Sequence, residues 1–320
     1  MKKATEVKYP NSASLFQFCR RVLDHKFGGI RVIDQDVGQI LGFDPADCSH
    51  WKKGKKNIRS IQAMKSIAEH LGVDERLVVD VAAGELDESE AFHEFSGYGA
   101  FDIDSKLLES AKKEYYRRNA ATWSKDREQE FRALFSPNEG VIEEVVSAIH
   151  RKINFIEAPL YLPEISAAYP EIKLTPINPA QDAKTTTTAT PNEVVNIVVT
   201  HKGETGPNGE PITTSEINYA MGTEMRPFVR YRIAKLMAQH FLAHVAPTPA
   251  EFGDFANHLQ DVQGNIFAAK LLAPPALIRR EMLQLNVAKD IVAQLAEVFW
   301  VSKTFMNRRL KDILQHGPAL

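Results

Sequence analysis

Asp34-Gln35-Asp36-Val37-Gly38-Gln39-Ile40-Leu41-Gly42-Phe43-Asp44-Pro45-Ala46-Asp47-Cys48-Ser49-His50-Trp51-Lys52-Lys53-Gly54-Lys55-Lys56 is a pair of short amphipathic segments hinged at a glycine. In the first, Val37, Ile40 and Leu41 recur at helical spacing, and Asp34 is placed to cap the start. Gly42-Phe43-Asp44 makes the turn, and Pro45 suits the first position of the next helix. That helix, Pro45 to about Lys53, is polar except for Cys48 and Trp51, which share one face. Its other face offers Ala46, Asp47, Ser49, His50 and Lys53. Five cations follow within Lys52-Lys53-Gly54-Lys55-Lys56-Asn57-Ile58-Arg59. Such a layout is what a helix-turn-helix needs: short polar groups reach base edges, and cations neutralise phosphates. The candidate DNA contacts are Gln35, Ala46, Asp47, Ser49, His50, Lys52, Lys53, Lys55 and Lys56. A lysine run after a helix can equally be a solvated edge.

Outward from this pair, helical spacing recurs in Leu15, Phe18, Cys19 and Val22, and again in Ile61, Met64, Ile67, Ala68 and Leu71. Gly42, Gly54, Gly72 and Gly84 each follow such a segment. Residues 12–86 therefore predict a bundle of about five short helices. Residues 1–86 carry 14 Lys and Arg against 11 Asp and Glu, a net +3, where the whole chain of 320 residues carries −2. A uniform basic coat is excluded, and a local basic patch is what remains.

The hydrophobic fraction of 44% and charged fraction of 25% are ordinary for a globular chain. Cys19 and Cys48 have no metal-type spacing and fit a reducing compartment. No apolar run approaches the ~18 residues of a membrane span. A basic start, Met1-Lys2-Lys3-Ala4, has no apolar stretch after it. The expectation is a cytoplasmic protein with no membrane association.

Residues 87–139 read as an acidic linker (Glu85 to Asp104) and a charged connecting helix, roughly 105–135, broken at Pro137-Asn138-Glu139-Gly140. Residues 140–315 form the second domain, with 176–191, which contains Thr185 to Thr188, as a mobile insert. Val194 to Thr200 reads as a strand, Gly203 to Gly209 as a turn and Ile217-Asn218-Tyr219 as a second, shorter strand. Helical segments follow at about 224–245, 254–272 and 288–315. The expected fold class is mainly α (α+β): a helical bundle, then a helical domain with a small sheet. Tyr115, Tyr116, Arg117 and Arg118 read as one exposed helix face, Phe299 and Trp300 as core.

Val37-Gly38-x-x-x-Gly42-Phe43, Cys48-Ser49-x-Trp51-Lys52-Lys53-Gly54-Lys55 and Ile67-Ala68-x-x-Leu71-Gly72-Val73 together resemble the Xre/Cro repressor family over residues 15–84. Two positions depart from its pattern: Asp34 stands where a Gln is usual, with Gln35 beside it, and Lys52 where an acid is usual. The resemblance implies double-stranded DNA as partner and a homodimer on two half-sites.

In the second domain, Arg230-Tyr231-Arg232-Ile233-Ala234, Gln263-Gly264-Asn265-Ile266-Phe267-Ala268-Ala269-Lys270-Leu271-Leu272-Ala273-Pro274, Leu295-Ala296-x-x-Phe299-x-Val301-Ser302 and Arg308-Arg309-Leu310 resemble the ImmA/IrrE metallopeptidase-like family. Ala158-Pro159 with Leu162-Pro163-Glu164-Ile165, followed by Ile172, resembles its opening helix. A zincin-like fold is implied. In such a site two histidines four apart bind zinc and the glutamate between them is the base. Carried over residue by residue, Lys235 and Gln239 stand at the histidine positions, Leu236 at the base and Asp261 at the third ligand. Lysine is a poor zinc ligand and leucine cannot move a proton. The resemblance thus implies a pseudo-peptidase with a degenerate site, no catalytic residues and no cofactor, in which Lys235 and Asp261 could pair. An alternative register places zinc on His240 and His244 with Asp261 or Glu251, and puts Phe241 at the base. Arg226, Arg230 and Arg232 read either as a solvated helix start or as anion holders.

The functional expectation is a DNA-binding transcriptional regulator whose inactive peptidase-like domain senses a small-molecule or protein effector, or mediates assembly. Two alternatives stay open: a zinc-dependent endopeptidase with atypical ligands, and an antitoxin or phage-related interaction protein.

Overall fold

The computed structural model describes residues 7–28, 30–97, 101–122, 124–125, 128, 131, 134–177, 198–205, 211–221, 226–243, 245 and 253–316. The chain divides into two compact units, Met1–Tyr98 and Gly99–Leu320. The mainly helical class with a small sheet is what the structure has.

The first unit comprises α1 (Pro10–Lys26), α2 (Asp34–Leu41), α3 (Pro45–Lys52), α4 (Ile61–Leu71), α5 (Glu75–Ala83) and α6 (Glu88–Gly97). Pro10 opens α1, whose Leu15, Phe16, Phe18, Cys19, Val22 and Leu23 are buried at helical spacing and form the spine of the core. Ser60 and Asp74 cap α4 and α5 by accepting the backbone N–H of Ala63 and Arg76. Asp34 is not the cap expected of it. It is the first helical residue, while Ile33 N–H donates to the Asp36 carboxylate at 3.3 Å.

α6 lies where an acidic linker was expected. Its Ala91, Phe92 and Phe95 join the α1 core, and the Arg21 guanidinium sits 4.6 Å from the Phe92 ring centroid. Apolar side chains at i, i+1 and i+4 outweigh the acids between them. The five helices expected over residues 12–86 are α1–α5, and α6 joins them as a sixth from the stretch expected to be a linker. Those acids also change the charge: Met1–Tyr98 holds 14 Lys and Arg against 15 Asp and Glu, a net −1. Basic character in this unit is local.

The second unit comprises α7 (Ser105–Asn119), α8 (Glu139–Lys152), α9 (Leu162–Ala168), β1 (Ile172–Ile177), β2 (Val198–Thr205), β3 (Pro211–Ala220), α10 (Pro227–Phe241), α11 (Asp254–Leu272), α12 (Pro275–Met282), α13 (Ile291–Phe299) and α14 (Lys303–His316). The strands form one sheet in the order β1-β3-β2. β1 runs parallel to β3 with Ile172 opposite Ser215, and β2 runs antiparallel to β3 with His201 opposite Ser215. α11 is the central helix: Phe267, Ala268, Leu271 and Leu272 are fully covered, and α8 and α10 pack on it.

Several sequence expectations change here. β1 was not foreseen, because Pro176 and the polar residues around it read as the start of an insert. β2 runs through Thr205, into the expected turn, and β3 is longer than expected. Residues 194–197 and most of the threonine-rich insert lie outside the described residues. The connecting helix is interrupted after Asn119 by a 3-10 turn at Ala120–Thr122, and residues 125, 128, 131 and 134 are again helical. Tyr115 is buried against Phe135, with ring centroids 5.7 Å apart, and only Tyr116, Arg117 and Arg118 are exposed. The last helical segment breaks into α13 and α14 at Trp300 (φ 55°), which is 39% exposed rather than core. Among the described residues no helix is long and apolar enough to cross a membrane.

Candidate nucleic-acid interface and polar cleft

α2 and α3 meet because two residues between and within them are glycine. Gly42 turns the chain at φ 73°, in the left-handed region where a Cβ is strained. Gly38 sits mid-helix, where glycine costs about 1 kcal/mol against alanine. Its value is the close approach it permits: an added Cβ would lie 2.7 Å from Cys48 Sγ and 2.9 Å from the Phe43 carbonyl oxygen. Gly38→Ala sets that propensity gain against a clash that includes backbone, and overpacking typically costs about 1–3 kcal/mol. We expect a net loss of roughly 1–2 kcal/mol, measured by thermal melting of the full chain. A more stable variant would show that the two helices do not touch in this way.

The buried attachment of α3 comes from its two apolar residues. Cys48 and Trp51 are buried, and Trp51 Nε1–H donates to the Ser12 carbonyl at 2.5 Å. Trp51 also meets Phe16 edge-on at 5.2 Å and Phe43 at 5.0 Å. Burial, aided by the neighbouring Asp47 carboxylate, pushes the Cys48 thiol up, and burial does the same to Cys19, so neither is a ready nucleophile.

With α3 fixed by that face, the other candidates sort by surroundings. Gln35, Ala46, His50, Lys53 and Lys55 are exposed, while Asp47 and Ser49 are half-buried. The lysine run is not uniformly available: Lys52 Nζ pairs with Asp34 Oδ2 at 2.6 Å and Lys56 Nζ with Asp47 Oδ2 at 2.5 Å. Among the described residues Lys53 and Lys55 make no ion pair, which leaves them as the two open lysines of the run, with Arg59 exposed just beyond.

In the second unit, Lys235, Leu236, Gln239 and Asp261 line one cleft of about 340 Å³ between α10 and α11. Positions 235, 236 and 239 share one face of α10, and 257, 260, 261 and 264 share one face of α11. Lys235 Nζ is 2.5 Å from Asp261 Oδ1. Asp261 Oδ2 accepts from Asn265 Nδ2 at 3.2 Å, and Asn265 Oδ1 accepts from the Tyr231 hydroxyl at 2.7 Å. Burial holds the Lys235 pKa below its usual value, opposed by the hydrogen bond and charge of Asp261. An added Cβ on Gly264 would stand 3.2 Å from Lys235 Cγ, so the helices are close at this point. Asn257, Gln260, Gln263 and Gly264 were missed from sequence, although Asn257, Gln260 and Asp261 stand at helical spacing with Gly264 and trace one stripe along the helix.

His240 is half-buried and its Nδ1 is 2.9 Å from Ser215 Oγ on β3. Its proposed partners His244 and Glu251 lie outside the described residues. Arg230 is neither solvated nor an anion holder. It is 2% exposed and donates to the carbonyls of Leu160 at 2.5 Å, of Phe299 at 3.3 Å, and of Trp300. Arg226 is exposed and Arg232 half-buried. No family model, no curated protein and no solved structure matches the chain.

Proposed function

We propose that the first unit binds double-stranded DNA through α3 and the lysine turn that follows it, and that the protein is a transcriptional regulator. The observation that carries this reading is the α2–turn–α3 pair. Gly38 lets the helices touch and Trp51 pins α3 by one face. The opposite face, with Ala46 and His50, and the turn with Lys53 and Lys55 are left outward. Short side chains and cations so placed suit base edges and phosphates. Resemblance to the Xre/Cro family supports the same reading and adds a homodimer. For the second unit, the residues at the metal and base positions argue against peptide hydrolysis: Lys235 is tied to Asp261, and Leu236 has no titratable group. Its role in this reading is that of a sensor or assembly module.

Anisotropy titration of the full chain against the duplex upstream of its own gene, over a range of salt, is the test. Binding is expected to weaken steeply with salt, and Lys53→Glu with Lys55→Glu is expected to lower the log–log slope by about 1 per lysine. Absence of salt-sensitive binding, or indifference to the double reversal, would sink the reading.

A further inference from the structure

DNA binding uses none of the cleft between α10 and α11. Its volume of about 340 Å³ falls at the small end of ligand sites. The lining combines the Lys235–Asp261 charge pair with the carboxamides of Gln239, Asn257, Gln260 and Gln263. Asp261 is held in place from behind by Asn265, itself fixed by Tyr231, so the acceptor is pre-set rather than mobile. Asp261 takes one of the three ammonium protons of Lys235, and two remain for other acceptors.

Gln263 adds a buried carboxamide to the wall of the cleft. It is 2% exposed, it lines the cleft, and its Nε2 has no hydrogen-bond partner among the described residues. Buried donors in folded proteins are almost always met, so this one calls for a partner. Turning the amide over leaves an acceptor unmet in the same place.

We propose that this cleft binds a small zwitterion carrying one carboxylate and one ammonium group, an α-amino acid being the simplest member of the class. The charge pair makes the choice. A ligand with a single charge attracts one of Lys235 and Asp261 and repels the other. A neutral polyol suits the carboxamides and leaves the pair to itself. A zwitterion laid antiparallel to the pair puts its carboxylate on Lys235 and its ammonium on Asp261, with no change in net charge. The carboxamides then meet the remaining donors and acceptors. Because binding here needs no DNA, its failure and the failure of the DNA reading are separate results.

The test is calorimetric titration of the full chain with glycine, L-glutamine and L-glutamate. Sodium acetate, methylammonium chloride, glucose and inorganic phosphate serve as controls. At least one amino acid is expected to bind once per chain, with every control weaker by about tenfold or more. Asp261→Asn, which keeps the volume of a half-exposed side chain, and Lys235→Met are each expected to weaken that binding by at least about tenfold. Circular dichroism of each variant confirms that the fold is kept, and the exposed Gln260→Ala supplies a milder third variant, with a smaller loss expected. Three outcomes overturn the proposal: no heat with any of the amino acids, a control binding as tightly as they do, or amino-acid binding that survives Asp261→Asn unchanged.

Discussion

Trp51→Ala is expected to release α3 from the first unit and to cost that unit about 3–5 kcal/mol, the range for deleting a large buried aromatic. Since whole domains are stable by only about 5–15 kcal/mol, this removes much of the margin. The size follows from how little else holds α3. Of its residues only Cys48 and Trp51 are buried, and Trp51 reaches across to α1 through Phe16 and the Ser12 carbonyl. Alanine is the better helix former, but that gain is a few tenths of a kcal/mol, roughly a tenth of the loss. Trp51→Phe keeps the ring contacts and loses the indole N–H, a change of about 1 kcal/mol. Hydrogen exchange read on peptides from 34–56, with α11 peptides as internal reference, separates the cases. Protection should collapse in the alanine variant and soften in the phenylalanine one. Unchanged protection after Trp51→Ala would mean that α3 is held by something other than this side chain. DNA binding, on the reading above, should follow the same order.

That anchor was legible in the sequence because its signal is local. Cys48 and Trp51 stand three apart in a polar helix, and Gly42 breaks the chain between two periodic segments. Local spacing says nothing about partners brought from elsewhere. Lys52 and Lys56 looked like open cations; their carboxylates, Asp34 and Asp47, come from 18 and 9 positions away. The helix α6 was hidden for a compositional reason. Glu88, Glu90 and Glu94 made its stretch look like a linker, while the apolar face that binds α1 needs only Ala91, Phe92 and Phe95. β1 was invisible because its pairing is non-local, with Ile172 opposite Ser215 across 43 positions. In the cleft, Lys235 and Asp261 were found as a pair through a resemblance, and the structure does bring them together. Gln263 was not, because an unmet buried amide is a property of packing, which spacing does not encode.

Arg230 shows the same limit in the second unit, and two opposing effects decide what Arg230→Met should do. Burial disfavours the cation and pulls its pKa down to about 10, which is still well above neutral, so the charge persists at pH 7. Methionine removes that desolvation cost, and for buried ion pairs such a replacement can be neutral or stabilising by about 1–4 kcal/mol. Against this stand three carbonyls, of Leu160, Phe299 and Trp300, all receiving from one guanidinium. Hydrogen bonds to a charged group contribute about 1.5–3 kcal/mol each, and a buried acceptor left unmet costs about 1–3 kcal/mol. Phe299 and Trp300 end α13, where no backbone donor of that helix can serve their carbonyls, and Leu160 is itself fully buried. The unmet carbonyls win, and Arg230→Met is expected to destabilise the second unit by roughly 3 kcal/mol. Arg230→Lys should recover only part, since one ammonium cannot reproduce a planar fork spread over two elements. Hydrogen exchange at α13 and α10 in the full chain reads both variants, with the first unit's helices as reference. A methionine variant as stable as the native chain would mean that desolvation, and not the three carbonyls, sets the energy of this site.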